Sequence, residues 1–357
     1  GRAEPNLAEL LDLVALGTVA DVVRLDRNNR ILVAQGLARI RAGRARPGLQ
    51  ALLQAAGRVP GHVGSSDLGF VLGPRLNAAG RLEDMTVGIE CLLSATPEAA
   101  QLLAGQLDAL NRERRDIEAQ MRDEALELAA GHGGVGICLF DGGWHEGVVG
   151  LVASRVKDRM HRPVFAFARA NEDGVLKGSG RSIRGLHLRD ALAAVDAHHP
   201  GLIVRFGGHA MAAGLTLPEA NLDRFAAAFD AECRGRLDAE ALEQVLETDG
   251  ELDAAELHLD TARLLEQGGP WGQGFPEPRF EGHFRVLETR ALGADGRHIK
   301  YRLGLPGGGA VEAMDFNGVE RLVPAGCAVR LVYCIGVNRF RGLEGLEMRI
   351  EYLCEDR

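Results

Sequence analysis

The segment between Thr96 and Ala130 constrains the fold most strongly, because its pattern predicts a single long helix. Thr96 can cap the first turn with its hydroxyl, and Pro97 suits the first helical position. No glycine follows Gly105 until the segment ends. Apolar residues form only a narrow stripe, and residues 111–118 are expected to be solvated on most faces. A long helix with so thin a stripe often connects two domains, so we predict a connector helix.

The region that follows this helix alternates short strands with helices. After the turn Gly131-His-Gly-Gly134, short apolar runs are separated by amphipathic segments. This alternation predicts an α/β layer with a small sheet. Strands are predicted at 135–140, 163–168 and 175–180, and helices at 147–159, 188–197, 219–235 and 254–267.

The C-terminal region has the pattern of a small β-barrel. The turn-rich segment Pro270–Pro278 comes before it and predicts a rigid hinge. Five alternating runs with glycine turns suit an OB-type barrel, although an open sandwich fits almost as well. These strands are predicted at 284–287, 299–305, 311–316, 329–337 and 346–353.

The N-terminal region is predicted to be helical. Apolar residues at helical spacing predict helices at 6–17 and 29–43. Residues 72–81 are predicted to form a polar loop punctuated by glycines, and a helix is predicted at 86–93.

Composition excludes several protein classes. The chain has 357 residues, of which 46% are hydrophobic and 25% charged, as in folded proteins of two or three domains. No run is long enough for a membrane span, and no signal-peptide pattern opens the chain. Six scattered cysteines without a Cys-x-x-Cys pair favour free thiols in a reducing cytoplasm. The net charge of −9 argues against a basic coat for nucleic acid but permits a local basic groove.

Asp21 is the first candidate for a functional residue. It is the only charged residue in the run from Leu16 to Val23. A buried carboxylate is costly unless it is paired or bound to a metal ion. The alternative is an ordinary helix cap or an ion pair with Arg24.

Two further glycine-rich segments carry side chains suited to phosphate. Asn77 and Arg81 offer planar hydrogen-bond donors, although Arg81 could equally cap a helix C-terminus. His145 lies where a predicted strand passes through two glycines into a helix whose N-terminal amides could receive an anion. His145 therefore either contacts substrate or caps that helix.

The segment Lys177–Arg184 contains the best phosphate candidate. Ser179, Arg181 and Ser182 alternate there with small residues along a predicted strand. Residues i and i+2 share a face of a strand, so Ser179 and Arg181 can reach one phosphate together. The alternative is an edge strand with solvated cations.

His209 follows two adjacent glycines in Arg205-Phe-Gly-Gly-His209, which predicts a sharp turn. A histidine on such a turn can donate or accept a hydrogen bond near neutral pH. Taken alone, the motif is more typical of an ordinary turn than of a functional site.

These motifs occur in an order that closely resembles the RecJ family, the bacterial single-strand-specific 5′→3′ DNA exonucleases of the DHH phosphoesterase superfamily. The matching segments are Gly17-Thr-Val-Ala-Asp-Val22, Leu72–Arg81, Trp144–Gly150, Gly178–Ser182, Arg205–His209 and Pro270–Pro278. The resemblance covers essentially the whole chain. It implies the end of a DHH domain at 1–95, the connector helix at 96–130, a DHH-associated domain at 131–235, a helical linker at 236–275 and an OB-like single-strand-binding barrel at 276–357.

The resemblance also implies roles for the candidate residues. Asp21 corresponds to the last metal-ligating aspartate of a centre with two Mn²⁺ or Mg²⁺ ions, which activate water and stabilise the leaving oxygen. Asn77 and Arg81 lie on the substrate-facing segment. Ser179 and Arg181 lie in the 5′-phosphate pocket, and His209 closes over the scissile bond. The partners implied are single-stranded DNA with a 5′ end, single-strand-binding protein and a repair helicase, with the chain acting as a monomer.

The chain departs from the family in one respect. The family's earlier motifs, an Asp-x-Asp, another Asp and an Asp-His-His, are missing from this sequence, and Asp196-Ala-His-His199 is not that motif. One carboxylate does not hold two divalent ions. We therefore expect a fragment that binds single-stranded DNA, does not retain the ions and does not cleave.

Two other functions remain open at this stage. One is a DHH-type phosphodiesterase of short oligonucleotides or cyclic dinucleotides, for which the barrel is superfluous. The other is a non-catalytic nucleic-acid or partner-binding module, in which the glycine segments are only turns.

Overall fold

The computed structural model describes residues 6–293, 296–305, 308–340 and 342–356, which form two compact units. The barrel unit comprises Gly1–Arg46, Ala56–Gly73 and Leu246–Arg357. The sheet unit comprises Pro47–Ala55 and Pro74–Val245.

The described helices follow the apolar spacing in most of the chain. None of them is both long and apolar enough to cross a membrane. In chain order they are α1 (Leu11–Ala20), α2 (Arg27–Arg41), α3 (Pro47–Ala55), α4 (Ser65–Asp67), α5 (Gly73–Leu82), α6 (Thr86–Leu93), α7 (Pro97–Ala130), α8 (Val149–Met160), α9 (Leu188–His198), α10 (Leu222–Arg236) and α11 (Leu259–Gly268).

The long helix predicted from the sequence is confirmed as α7. The Thr96 hydroxyl accepts a hydrogen bond from the Ala99 amide at 3.4 Å, as the capping pattern predicted. α7 belongs wholly to the sheet unit, where it packs against α3, α6 and α8.

The segment predicted as a polar loop at 72–81 is a helix instead. Residues Gly73–Leu82 form α5, with Leu76, Ala78 and Ala79 buried. The isolated glycines do not break the helix, because neighbouring apolar residues bury one of its faces. Gly80 lies directly against Met85, where a Cβ would contact the thioether sulfur at 3.4 Å.

The sheet unit contains a five-stranded sheet with helices on both faces. Its order is β1-β2-β3-β5-β4, with β1 parallel to β2 and the other pairs antiparallel. One face packs Phe165 and Phe167 against α9 and α10, and the other packs Val164 and Ala166 against α7 and α8. The strands are β1 (Ile137–Phe140), β2 (Val164–Arg169), β3 (Val175–Arg181), β4 (Arg205–Gly208) and β5 (Ala212–Pro218).

The barrel unit ends in a closed five-stranded barrel, which confirms the barrel over the open sandwich. The strand order is β10-β8-β7-β6-β9, and the parallel pairing of β8 with β10 contributes to closure. Tyr301, Tyr333 and Val286 are fully buried in its core. The strands are β6 (Phe280–Leu292), β7 (His298–Gly304), β8 (Ala310–Asp315), β9 (Ala328–Phe340) and β10 (Leu343–Glu355).

Candidate functional site

The candidate site lies on the part of the sheet that α8 leaves open. α8 packs against β2 and β3, whereas Gly214 of β5 and Gly207 of β4 are exposed on the sheet. A cleft of about 470 Å³ lies there. Its lining residues are Glu146, Val149, Lys177, Gly178, Ser179, Arg205, Phe206, Gly207, Gly214, Leu215 and Thr216.

Strand β3 directs its polar side chains towards this open face. Lys177, Ser179 and Arg181 are half-buried and alternate with the buried Gly178 and Gly180. A Cβ on either glycine would overlap the ring of Phe167 or Phe165 on the opposite face. The aromatic core therefore requires both glycines, and the alternation places a hydroxyl and two cations on one face.

The start of α8 approaches this strand closely because two glycines allow it. A Cβ on Gly147 would overlap the carbonyl oxygen of Arg81. A Cβ on Gly150 would lie 2.8 Å from the Ser179 hydroxyl and 3.1 Å from Nη2 of Arg181. The first turn of α8, with the positive end of its dipole, thus lies against the polar side chains of β3.

Two guanidinium groups meet at this point. Nη1 of Arg81 donates to the Gly147 carbonyl oxygen at 3.0 Å, and Nη1 of Arg181 donates to the Ser179 hydroxyl at 3.2 Å and to the Gly180 carbonyl oxygen at 2.8 Å. Burial lowers the pKa of Arg181, and the charge of Arg81 lowers it further. Within the described ranges, neither guanidinium forms an ion pair with a carboxylate. A bound anion would relieve their mutual repulsion.

An ionic cluster lies near Arg81, formed by the buried Arg114 and Glu118 of α7 and the exposed Arg155 of α8. Arg114 and Arg155 each donate to the Glu118 carboxylate at 2.8 Å, and Arg114 also donates to Asn111 at 2.9 Å. Burial lowers the pKa of Arg81, and attraction from Glu118 opposes this shift. Four arginines, Arg81, Arg114, Arg155 and Arg181, lie near this one glutamate, so the local charge is positive.

Most faces of the segment 111–118 are exposed, as expected, but one face is buried. Asn111, Arg114 and Glu118 are only 5%, 9% and 7% exposed. Their spacing of three and four residues places them on one side of the helix. That spacing could have predicted a buried face, but the charges of these residues indicated an exposed one.

His209 lies at the end of a hairpin that the sequence pattern did not predict. The motif predicted a turn, whereas Arg205–Gly208 form strand β4 and only residues 209–211 connect it to β5. The His209 amide donates to the Ala212 carbonyl oxygen at 2.8 Å, and Ala212 pairs with Arg181. The exposed His209 is therefore placed at the same end of the sheet as Arg181.

The remaining phosphate candidates have different positions. Asn77 is exposed on α5, one helical turn before Arg81. Nδ1 of His145 accepts a hydrogen bond from the Gly147 amide at 3.1 Å, just before α8 begins, whereas Val148, the N-cap residue of α8, has no side-chain cap. Ser182 is 1% exposed and donates its hydroxyl to the Leu186 carbonyl oxygen at 2.8 Å. This inward bond gives Ser182 a structural role, so we do not retain it as a phosphate contact.

Asp21 lies in the barrel unit and is exposed rather than buried. It is the C-cap residue of α1, and its amide donates to the Gly17 carbonyl oxygen at 3.0 Å. The next residue, Val22, has a left-handed φ of 56°, which is rare for a β-branched residue. Across the described parts of the chain, no group of three or more His, Cys, Asp or Glu side chains is arranged to hold a metal ion. The residues described do not fit a two-ion centre.

The cleft also contains polar residues that we did not predict as site residues. Lys177 forms an ion pair with Glu146 at 2.7 Å, and Nε of Arg205 donates to the Thr216 hydroxyl at 3.3 Å. Lys177 and Arg205 were visible beside the glycine motifs. No sequence motif pointed to Thr216 as a site residue, because only strand pairing places it between Lys177 and Arg205.

Two family matches cover most of the chain after α7. Residues 132–235 match the DHHA1 domain, and residues 248–352 match the RecJ OB domain. The first range contains the sheet and the cleft, and the second contains the barrel.

Curated relatives and solved structures match the chain almost from end to end. It is 54% identical to the single-stranded-DNA-specific exonuclease RecJ of Dickeya dadantii and 51% identical to that of Escherichia coli, over 99% and 98% of this chain. The crystal structure of Thermus thermophilus RecJ in complex with Mg²⁺ is 32% identical, with a TM-score of 0.82, covering 99% of this chain and 53% of that one. The chain spans 62% of the length of the two curated relatives.

Proposed function

The chain belongs to the RecJ family, and on this basis we propose that it forms the strand-binding part of a single-stranded-DNA-specific 5′→3′ exonuclease acting in DNA repair and recombination. The reaction would be hydrolysis of phosphodiester bonds from a 5′ end. The relatives that support this activity are named for it, and they are longer than this chain.

One observation carries the proposal for this chain's own role. Arg81 and Arg181 lie together at the start of α8 without a carboxylate partner in the described residues. A terminal phosphate carries more than one negative charge and accepts several hydrogen bonds, so it suits two forked donors. An internal phosphodiester carries a single negative charge and would bind the two arginines less tightly. We infer that the site selects a 5′-phosphorylated end.

The neighbouring residues have supporting roles in this proposal. The Ser179 hydroxyl would share the phosphate with Arg181. Asn77 would contact the strand from the exposed side of α5. His209 would close over the bond that is cut, and His145 would hold the start of α8 in place through its bond to Gly147.

The dependence on metal ions is proposed for the complete enzyme only. Solved RecJ structures of relatives hold Mg²⁺ or Mn²⁺. Among the residues described here, Asp21 is the one candidate ligand that the sequence predicted, and it has no cluster around it. We propose that this chain alone neither retains the ions nor cleaves DNA. Digestion of single-stranded DNA by this polypeptide in Mn²⁺ would contradict that proposal.

The barrel would bind the strand beyond its 5′ end. OB-type barrels bind oligonucleotides through one face and its loops. Association with single-strand-binding protein or a repair helicase, and a monomeric state, stay predictions.

The test compares 5′-phosphorylated and 5′-hydroxyl oligonucleotides by fluorescence anisotropy. Arg181→Ala should weaken binding of the phosphorylated strand by about 1–3 kcal/mol, as expected for hydrogen bonds to a charged group. Binding of the hydroxyl strand should change little. Arg189→Ala is the matched control, because the exposed Arg189 lies on α9, behind the opposite face of the sheet.

An unchanged affinity in Arg181→Ala would favour the non-catalytic module over the exonuclease. A parent chain that binds both strands equally would exclude selection of the 5′-phosphate.

A further inference from the structure

One buried carboxylate of the long helix α7 is held by arginines from two helices. Glu118 is only 7% exposed. Its Oε2 accepts a hydrogen bond from Arg114 of α7, and its Oε1 accepts one from Arg155 of α8, each at 2.8 Å. A buried ion pair often adds little net stability, because the cost of desolvation offsets the attraction. Stability alone is therefore a weak explanation for this cluster.

The charge of Glu118 also acts on the arginines of the candidate site. Burial lowers the pKa of Arg81 and of Arg114, and attraction from Glu118 opposes this shift in both. The charge of Arg81 in turn acts on Arg181. In the part of the chain that the structure describes, Glu118 is the one carboxylate whose charge acts on Arg81 or Arg114. Several arginines therefore share a single counter-charge.

Glu118 reaches these arginines through packed helices and not through the cleft. Ile117 and Met121, on either side of it along α7, pack with Leu82, the residue after Arg81. Arg155 lies on α8, whose first turn contacts the polar side chains of β3. Glu118 does not line the cleft. It can therefore influence a bound anion only through its charge and its arginine partners.

This carboxylate has opposite effects on the empty site and on the occupied site. Without an anion, Glu118 offsets part of the repulsion among the arginines. When a phosphate is bound, the negative charge of Glu118 opposes it. Such forces stay substantial between partly buried charges, because water and salt screen them less than at the surface. The hydrogen bond from Arg155 neutralises part of the charge of Glu118 and so reduces this opposition.

We propose that Glu118 is a positioning residue that limits how tightly Arg81 and Arg181 hold a 5′-phosphate, and that Arg155 adjusts this limit. This inference rests on the proposed function, because it assumes that the two arginines bind the phosphate. A hold of limited strength suits an exonuclease, since the strand end must move after each cleavage. The proposal predicts that removal of the buried charge strengthens phosphate binding. A role in packing alone predicts the opposite.

The experiment varies the charge of the strand end and the charge of residue 118 independently. Three thymidine dodecamers carry a 5′-phosphate, a 5′-methyl phosphate or a 5′-hydroxyl, which have about two, one and no negative charges at pH 7. By fluorescence anisotropy, Glu118→Gln should bind the first about tenfold and the second about threefold more tightly than the parent does. Binding of the hydroxyl strand should not change. Glu113→Gln makes the same chemical change at an exposed position of α7 and should leave all three affinities unchanged.

Variants of the exposed Arg155 provide a second test that does not disturb the buried carboxylate. Arg155→Gln should bind the phosphorylated strand about threefold more weakly, because the charge of Glu118 is then less neutralised. Arg155→Lys keeps the positive charge and should bind like the parent. If Glu118→Gln does not fold, this pair decides, and an equal loss in both variants would overturn the proposal.

The remaining outcomes separate this proposal from the proposed function. Weaker binding of the phosphorylated strand by a folded Glu118→Gln, or an equal change for all three strands, would overturn the role of Glu118. Unchanged affinities in every variant would also overturn it and would leave phosphate selection intact. A parent chain indifferent to the 5′-phosphate would overturn the proposed function, and the role of Glu118 with it.

Discussion

The sheet and the barrel are both built from five strands, but the two arginines at the cleft differ in their partners from three cations of the barrel. In the barrel, Lys300, Arg330 and Arg349 each form an ion pair with a glutamate. In the sheet, Arg81 and Arg181 meet without a carboxylate partner among the described residues. Paired surface cations attract a phosphate weakly, because the partner competes, whereas partly buried unpaired cations attract it strongly.

Under the proposed function, this difference would combine a specific site for the strand end with less specific binding of the rest of the strand. A closed barrel has no strand edge and presents its outer surface evenly. An open sheet that is only half covered by a helix leaves a bounded cleft with backbone exposed. We therefore expect recognition of the strand end in the sheet unit and sequence-tolerant contacts on the barrel.

The largest expected effect is on stability, and it compares a strand glycine of the sheet with a strand glycine of the barrel. Gly180→Val should destabilise the protein by about 3 kcal/mol, because the side chain would overlap the Phe165 ring. That ring cannot move away, since it packs edge-on against Phe225 and Phe229. Gly336→Val on β9 meets nothing within 4 Å and should change stability little. Urea unfolding measures the free energy of unfolding of both variants, and equal losses of stability would contradict this prediction.

A smaller effect tests whether the barrel contributes to binding. A 5′-phosphorylated dinucleotide is short enough to be bound by the cleft alone, whereas a 20-nucleotide strand offers further nucleotides that the barrel could bind. The longer strand should bind at least about tenfold more tightly, given about 1–3 kcal/mol for each stacked base. Calorimetric titration of both ligands gives the ratio. Equal affinities would favour the alternative function, a phosphodiesterase of short or cyclic dinucleotides.

The smallest effect concerns two aspartates whose pKa values shift in opposite directions. Burial alone would raise the pKa of Asp230, but hydrogen bonds from the amides of Gly136 and Val135 and from Arg234 lower it overall. Burial raises the pKa of Asp315 in the barrel, and Arg321 only partly opposes this. The stability from Asp230 is therefore present above the usual aspartate pKa and is lost as the pH falls through its lowered value. The stability from Asp315 is present at acid pH and is lost as the pH rises through its raised value.

Urea unfolding between pH 3 and pH 7 checks both signs. Asp230→Asn should cost about 1 kcal/mol at pH 7, since it weakens hydrogen bonds to a charged group, and this cost should shrink on acidification. The difference between the parent and Asp315→Asn should change with pH in the opposite direction. Two variants with the same trend would contradict the assignment.

Much of the fold was predictable because it depends on local pattern. The capped helix after Thr96, the helix at Thr86–Leu93 and the five barrel strands follow from side-chain spacing and turn residues. The helix at Gly73–Leu82 was missed because its glycines indicate a loop when read locally. Strand β4 was missed because the Arg205–Gly208 segment is short and half glycine.

The site was predictable in part for the same reason. Ser179 and Arg181 share a strand face, so their spacing alone predicted that they act together. The approach of Arg81 to Gly147 joins residues 66 positions apart in sequence, and no local pattern indicates it. The burial of Ser182 could likewise not be predicted, because the sequence does not indicate whether the hydroxyl of a serine near a phosphate motif points inward or outward.

The motifs along the chain, in their order, resemble those of its family, and they predicted Ser179, Arg181 and His209 as candidate residues, because motifs and their spacing are properties of the primary structure. The glycines show what the sequence alone did not determine. Gly178, Gly180 and Gly207 look alike in the sequence, yet two accommodate phenylalanine rings and the third faces an open cleft. Strand register and the burial that follows from it depend on contacts between distant residues, so only the folded chain separates a glycine packed against an aromatic ring from one on an open face.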